Sequence, residues 1–486
     1  MFRGSLRSSS FGQTVAMILR NHHVNFLITS CIILIALYLT VLAAFGRNII
    51  HPFTIINSTW DGPPADPASL ITSAFSIFFL LVVSLCVGKV FQYMSLPPLL
   101  GCLLVGLLVK NITALDDIFY VNPRWEWCIR TLALTVILIR SGISLNWDYL
   151  KDAMGVALAL GIVTAAVESG IIAIAAVFIF GWSVPISLIC GVVLAAISPA
   201  VTVPVMLDLQ SQGLGTRKGI PTLALATATL DNIFCITVFS IITAIVFSTE
   251  PLSEVIGITI AQLVAGAFIG LILGWILWWF PISYVNNSSV CRTLLLATVP
   301  PAFVLGGSVL GFLSGGIAAA VLTSFVAGFR WKIDNDDKIV YEEKAFGLLW
   351  DLFFMPLLFA LIGMRLDFSL MTWPTVLTGC ALIGIGAVFR FLSGIVFSCC
   401  SGFTMKEQLV LTLSLLPKAT VQAALAPAIV AYAAQMVQYE KEAHMAQTSC
   451  IITILLTAPL CQYILSKAAP LLLQNNRVVG VVSKFL

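Results

Sequence analysis

The chain has 486 residues, of which 59% are hydrophobic and 10% charged, with a net charge of +3 and a mean hydropathy of +1.04. Soluble domains carry roughly 25% charged residues, so a chain this apolar could not cover a water-facing globule of its size. The mild positive charge lies scattered in short loops, with no basic block interleaved with aromatics to suggest nucleic acid.

Residues 1–22 are basic and serine-rich and read as a cytoplasmic N-terminus. The apolar run at 23–45 lacks a cleavage site, which favours a retained membrane helix over a removed signal peptide. A hydrocarbon core about 30 Å thick takes about 20 apolar residues per helical span. Further spans are expected near 69–93, 96–110, 127–145, 152–180, 184–208, 219–248, 255–280, 293–311, 313–330, 345–363, 372–400, 407–432 and 447–466, about fourteen in all. The loops between them are short, so no separate soluble domain is expected. The fold class is therefore an all-α polytopic membrane protein.

With the N-terminus cytoplasmic, sixteen of the 25 lysines and arginines fall inside, five outside and four within spans. An even helix number then puts both termini, including the tail 467–486, in the cytoplasm. The sequons at Asn57 and Asn111 fall outside, as glycosylation requires. Most of the twelve cysteines lie inside apolar runs, and with four histidines and no paired ligand motif no metal site or cofactor is expected.

Two sets of six spans, 69–248 and 293–466, flank a linker helix at 255–280, and their opposite starting sides make them inverted repeats. Similar features recur in order. Pro97-Pro98-Leu99-Leu100-Gly101 opens one span and Gly315-Gly316-Ile317-Ala318 its counterpart. The fifth helix of each set carries proline at mid-depth: Pro199 and Pro204 in the first, Pro417 in the second. Proline removes helix hydrogen bonds, which lipid does not tolerate but a buried polar centre does.

A charge at mid-membrane costs from about 2.5 kcal/mol upward, so each is a functional candidate. Glu168, Asp231, Arg390 and Lys418 stand out. Glu168 and Arg390 occupy the fourth helix of each set at similar depth, which suggests a pair across the repeat interface, functional or purely structural. Asp231, Thr229, Ser198, Thr202 and the carbonyl of Asn232 offer the oxygen ligands that lithium and sodium favour. A buried carboxylate there can also hold a proton, because burial raises its affinity for one. One acid accepting either occupant is the simplest exchange device.

At Ser198-Pro199-Ala200-Val201-Thr202-Val203-Pro204, Lys218-Gly219-Ile220-Pro221-Thr222-Leu223 and Leu416-Pro417-Lys418-Ala419-Thr420-Val421-Gln422-Ala423-Ala424 the sequence resembles the cation/proton antiporters. The likeness runs over nearly the whole chain and is greatest to the animal sodium/proton antiporters of the NHA type. It implies an inverted-repeat fold of the NhaA and NapA kind, with crossed, discontinuous helices in a mobile core. It further implies a homodimer, elevator-like transport, pairing of Glu168 with Arg390, and neutralisation of Asp231 by Lys418. The plasma membrane is the expected location. The family usually has two carboxylates, or Asn then Asp, where this chain has Asp231 then Asn232. An amide coordinates but cannot titrate.

Three readings follow. Cation/proton antiport, of sodium or lithium with potassium as an alternative, keeps Asp231 as sole carrier. Proton-coupled anion transport, for example of chloride, uses the positive site left when Asp231 is protonated beside Lys418. A transport-incompetent regulatory relative is the third. An enzyme ranks below these, since no nucleophile–base pair, phosphate loop or metal triad is present. Gly306-Gly307-Ser308-Val309-Leu310-Gly311 follows no strand and suits close helix packing.

Overall fold

The computed structural model describes residues 21–46, 67–247, 252–282, 287–334, 340–434 and 436–473. Among them every long regular element is helical. Helix α1 is His22–Phe45, opened by the Asn21 side chain accepting the His23 N–H and closed by Gly46 in the left-handed region. It is followed by α2 Pro67–Tyr93, α3 Pro98–Asn111, α4 Pro123–Ser144 and α5 Trp147–Phe178. Next come α6 Val184–Ala195, α7 Pro199–Gln212, α8 Ile220–Phe247, α9 Leu252–Ile276, α10 Ser288–Val309 and α11 Leu313–Asp334. The chain continues through α12 Tyr341–Gly363, α13 Trp373–Ser398, α14 Met405–Leu413, α15 Thr420–Ala433 and α16 Val437–Leu472.

Twelve helical spans among the described residues are long and apolar enough to cross a membrane, with Val184–Gln212 counted as one. Of the fourteen expected, two fall short for different reasons. The 96–110 span is realised as α3, only 14 residues long because its start is set by Pro97 and Pro98. The 407–432 span is cut into α14 and α15 by a stretch around Pro417.

Helix α5 packs on α6 and α13, α13 on α16, and α16 on α15, so these helices enclose the two interrupted segments. On the other side α1 packs on α10, α9 and α10 on α11, and α3 on α12, with α4 lying between the two groups. Small residues set the closest of these contacts. A Cβ on Gly266 of α9 would lie 2.2 Å from the carbonyl oxygen of Gly315 on α11, so only glycine lets the two backbones meet there. In α5 a single π turn at Ala159–Val163 brings Gly161 against α8, where an added Cβ would sit 3.3 Å from the Asp231 nitrogen. That contact packs α5 against the turn of α8 that carries Asp231.

Candidate ion and proton site

The helix α6 stops at Ala195 and α7 starts at Pro199, leaving three residues out of the helix. Ser198 is extended, as the residue before a proline must be, and Pro199 takes the first helical position, where its missing N–H is not needed. Pro204 lies inside α7. A second interruption, between Leu413 and Thr420, contains Pro417. The two interruptions touch: the Ser198 N–H donates to the Pro417 carbonyl at 2.7 Å.

Each interruption frees backbone groups that would be costly if left unpaired in the interior. The other segment supplies their partners. Lys418 Nζ donates to the Ala195 carbonyl at 2.5 Å, and Gln422 Nε2 donates to the carbonyls of Val193 (2.9 Å) and Ala196 (2.7 Å). In return Thr202 Oγ1 donates to the Ser414 carbonyl at 3.0 Å. From α16, Thr457 Oγ1 accepts the Lys418 N–H at 3.0 Å. The segments thus cross and cap one another.

Asp231 of α8 enters this crossing fully buried. Its Oδ2 accepts the Ile197 N–H at 2.6 Å and its Oδ1 accepts from Arg390 NH2 at 2.6 Å. Glu168 of α5 accepts from Lys418 Nζ at 2.8 Å and lies 3.4 Å from Arg390 NH1. Two acids and two bases are therefore enclosed together, and their formal charges cancel. Full compensation is what allows such charges to stay out of water.

This geometry corrects one expectation. Glu168 and Arg390 do approach each other, but Lys418 does not neutralise Asp231. Lys418 follows Pro417 directly and is drawn to Ala195 and Glu168, while the broad fork of Arg390 spans both carboxylates and takes Asp231. Thr229 is also redirected. It meets Ser141 Oγ of α4 at 3.2 Å and donates to the Leu225 carbonyl, because residues two apart on a helix point about 200° away from each other.

Asn232 Nδ2 donates to the Ala228 carbonyl at 2.8 Å, which fixes the amide with its oxygen at the free end. The two bonds from Gln422 Nε2 fix that amide in the same way. Among the described residues, Asn232 Oδ1, Gln422 Oε1 and the hydroxyls of Ser198, Thr227 and Thr420 are buried without a protein hydrogen-bond partner. Gln422 lies in a motif quoted above but carried no assigned role. Its capping of α6 depends on a contact 226 residues back along the chain.

Away from the crossing, a cavity of about 720 Å3 opens between the ends of α3, α4, α12 and α16. Glu126 and Arg365 line it, whereas the four central charges do not. Asn111, at the end of α3, is committed: Nδ2 donates to the carbonyls of Leu107 and Leu366, and Oδ1 accepts the Phe368 N–H. The nitrogen a glycan would need is thus already in use. Asn57 lies outside the described residues.

The family model described as the transmembrane region of the sodium/hydrogen exchangers matches residues 77–466. The chain is 33% identical over 410 residues to sodium/hydrogen exchanger 9B2 of Homo sapiens, covering 82% of this chain and 75% of that protein. It is 31% identical over 428 residues to sodium/hydrogen exchanger 9B1 of Homo sapiens, covering 86% and 82%. In fold it is similar to the sodium proton antiporter MjNhaP1 from Methanocaldococcus jannaschii. That match has a TM-score of 0.62 and 19% identity, covering 83% of this chain and 99% of that one.

Proposed function

Because this chain belongs to the sodium/hydrogen exchanger family, we propose that it is a secondary transporter exchanging sodium or lithium for protons, with Asp231 as the group the two compete for. Entry of a cation at Asp231 displaces Arg390 toward Glu168, which is already 3.4 Å from its NH1. Loss of the cation lets Arg390 return or a proton take its place. Alternating access comes from movement of the crossed segments with α5, α8, α13 and α16 relative to the remaining helices.

What supports a cation over an anion is the kind of atom left free at the crossing. Both amide N–H groups of Gln422, one of the two on Asn232 and two of the three N–H groups of Lys418 are taken by backbone carbonyls or Glu168, while the amide oxygens remain without partners. Oxygen acceptors suit a hard monovalent cation. Arg390 retains an unpartnered N–H at Nε and only a 3.4 Å ion pair at NH1, but it is held between two carboxylates, which repel an anion.

The charge count supports a one-for-one stoichiometry. The site is neutral when empty and carries one positive charge whether Asp231 holds a proton or a sodium ion. Exchange of one for the other is then electroneutral. We further propose a homodimer in the plasma membrane with both termini cytoplasmic, on the lysine and arginine bias and the family membership.

Purified protein in liposomes tests this directly. Sodium or lithium gradients are expected to drive proton flux, and Asp231→Asn to abolish it. Proton flux that ignores both cations but requires chloride would replace the cation reading with the anion one.

A further inference from the structure

Among the largely buried cations outside the exchange site, Arg130 holds a helix of the crossing. Arg130 lies on α4 with its side chain only 10% exposed. Its NH1 is 3.2 Å from Glu126 Oε1, one turn earlier, and also donates to the Ala423 carbonyl of α15 at 2.9 Å. Glu126 is held in turn by Arg365 at the end of α12, through bonds of 2.9 and 2.6 Å.

The sequence explains why a carbonyl inside a helix is available. In an α-helix the carbonyl of residue 423 accepts the N–H of residue 427, and residue 427 is Pro427, which has none. Arg130 supplies the missing donor from another helix. The helix so held is the one that carries Thr420 and Gln422 into the crossing. The cluster also stands at a boundary: Glu126 and Arg365 line the open cavity, and Arg365, Ala423 and Pro427 line a narrower pocket between α12, α15 and α16.

We propose that Arg130 is a positioning residue that bolts α15 to α4 in this conformation, and that α15 moves when Arg130 gives up the Ala423 carbonyl and keeps the Glu126 carboxylate. Arg130 has a partner in both arrangements, so neither strands a buried charge, and the contact is two-state. The consequence for flux rests on the exchange reading above; the bolt itself does not.

Two measurements test it. Hydrogen–deuterium exchange on the full chain in lipid nanodiscs reads α15 without any transported ion. Arg130→Gln is expected to at least double the uptake rate of the segment 414–427. In a Pro427→Ala background, where residue 427 satisfies the carbonyl from within, the same change is expected to have less than half that effect. In liposomes, Arg130→Gln is expected to raise the maximal exchange rate at least threefold while half-saturating sodium stays within twofold. Pro427→Ala leaves all three charged side chains in place and shifts the rate in the same direction, so the test survives if Arg130→Gln does not fold. Unchanged uptake, equal effects in both backgrounds, or an unchanged or lowered rate would overturn the bolt. A wild-type protein without sodium-dependent flux sinks the exchange reading instead, and the deuterium result still judges Arg130.

Discussion

Arg390 NH2 lies 2.6 Å from Asp231 Oδ1, and both side chains are fully buried. A guanidinium thus occupies the acid that the proposed exchange assigns to the cation, and its second nitrogen, NH1, already faces Glu168 at 3.4 Å. On the proposed exchange, the competition at the site is three-way, between proton, metal cation and Arg390.

Removing one partner of a buried ion pair costs about 3–5 kcal/mol, because the other charge is left uncompensated. Arg390→Ala leaves two carboxylates facing a single ammonium and is expected to lose stability on that scale. Arg390→Lys keeps the charge but not the fork that reaches both acids, and is expected to recover less than half of the loss. Thermal unfolding of purified protein in detergent measures both. Wild-type melting in Arg390→Ala would contradict the charge pairing.

Asn232→Asp adds a carboxylate to a balanced site. The empty site then carries one negative charge, and one sodium ion exchanges against two protons. Exchange is expected to become sensitive to membrane potential, and apparent sodium affinity to rise about tenfold, equivalent to about 1.4 kcal/mol. Proton flux measured under potassium–valinomycin potentials distinguishes this variant from the wild type, whose proposed one-for-one exchange is expected to ignore voltage.

Gln422 satisfies two carbonyls at the end of α6. Gln422→Ala strands Val193 and Ala196, and each buried unsatisfied group costs about 1–3 kcal/mol. The variant is expected to melt earlier and to exchange more slowly. Gln422→Glu is a sharper probe, since a carboxylate cannot donate to those carbonyls yet adds charge at the crossing. Full activity in Gln422→Ala would show that the cap is dispensable.

The contact of α9 with α11 lies away from the exchange site. Gly266→Leu drives a side chain into the backbone of Gly315, and overpacking of this kind costs about 1–3 kcal/mol. The melting temperature is expected to fall while half-saturating sodium stays at its wild-type value. A shift in sodium affinity would mean that this helix pair communicates with the crossing.

Much of this protein was legible along the chain, for a local reason. Whether a segment enters a membrane depends on its own composition, so the spans could be placed from apolar runs alone, and Pro199 and Pro417 interrupt their helices through covalent geometry that needs no neighbour. The burial of Asp231, Glu168, Arg390 and Lys418 followed from the same reasoning. Their partners did not. Arg390 reaches Asp231 across 159 residues, Lys418 reaches Glu168 across 250, and Arg130 reaches Ala423 across 293. Composition places these groups within the spans, but only packing fixes rotation about each helix axis, and that rotation turned Thr229 toward Ser141 and gave Lys418 to Glu168.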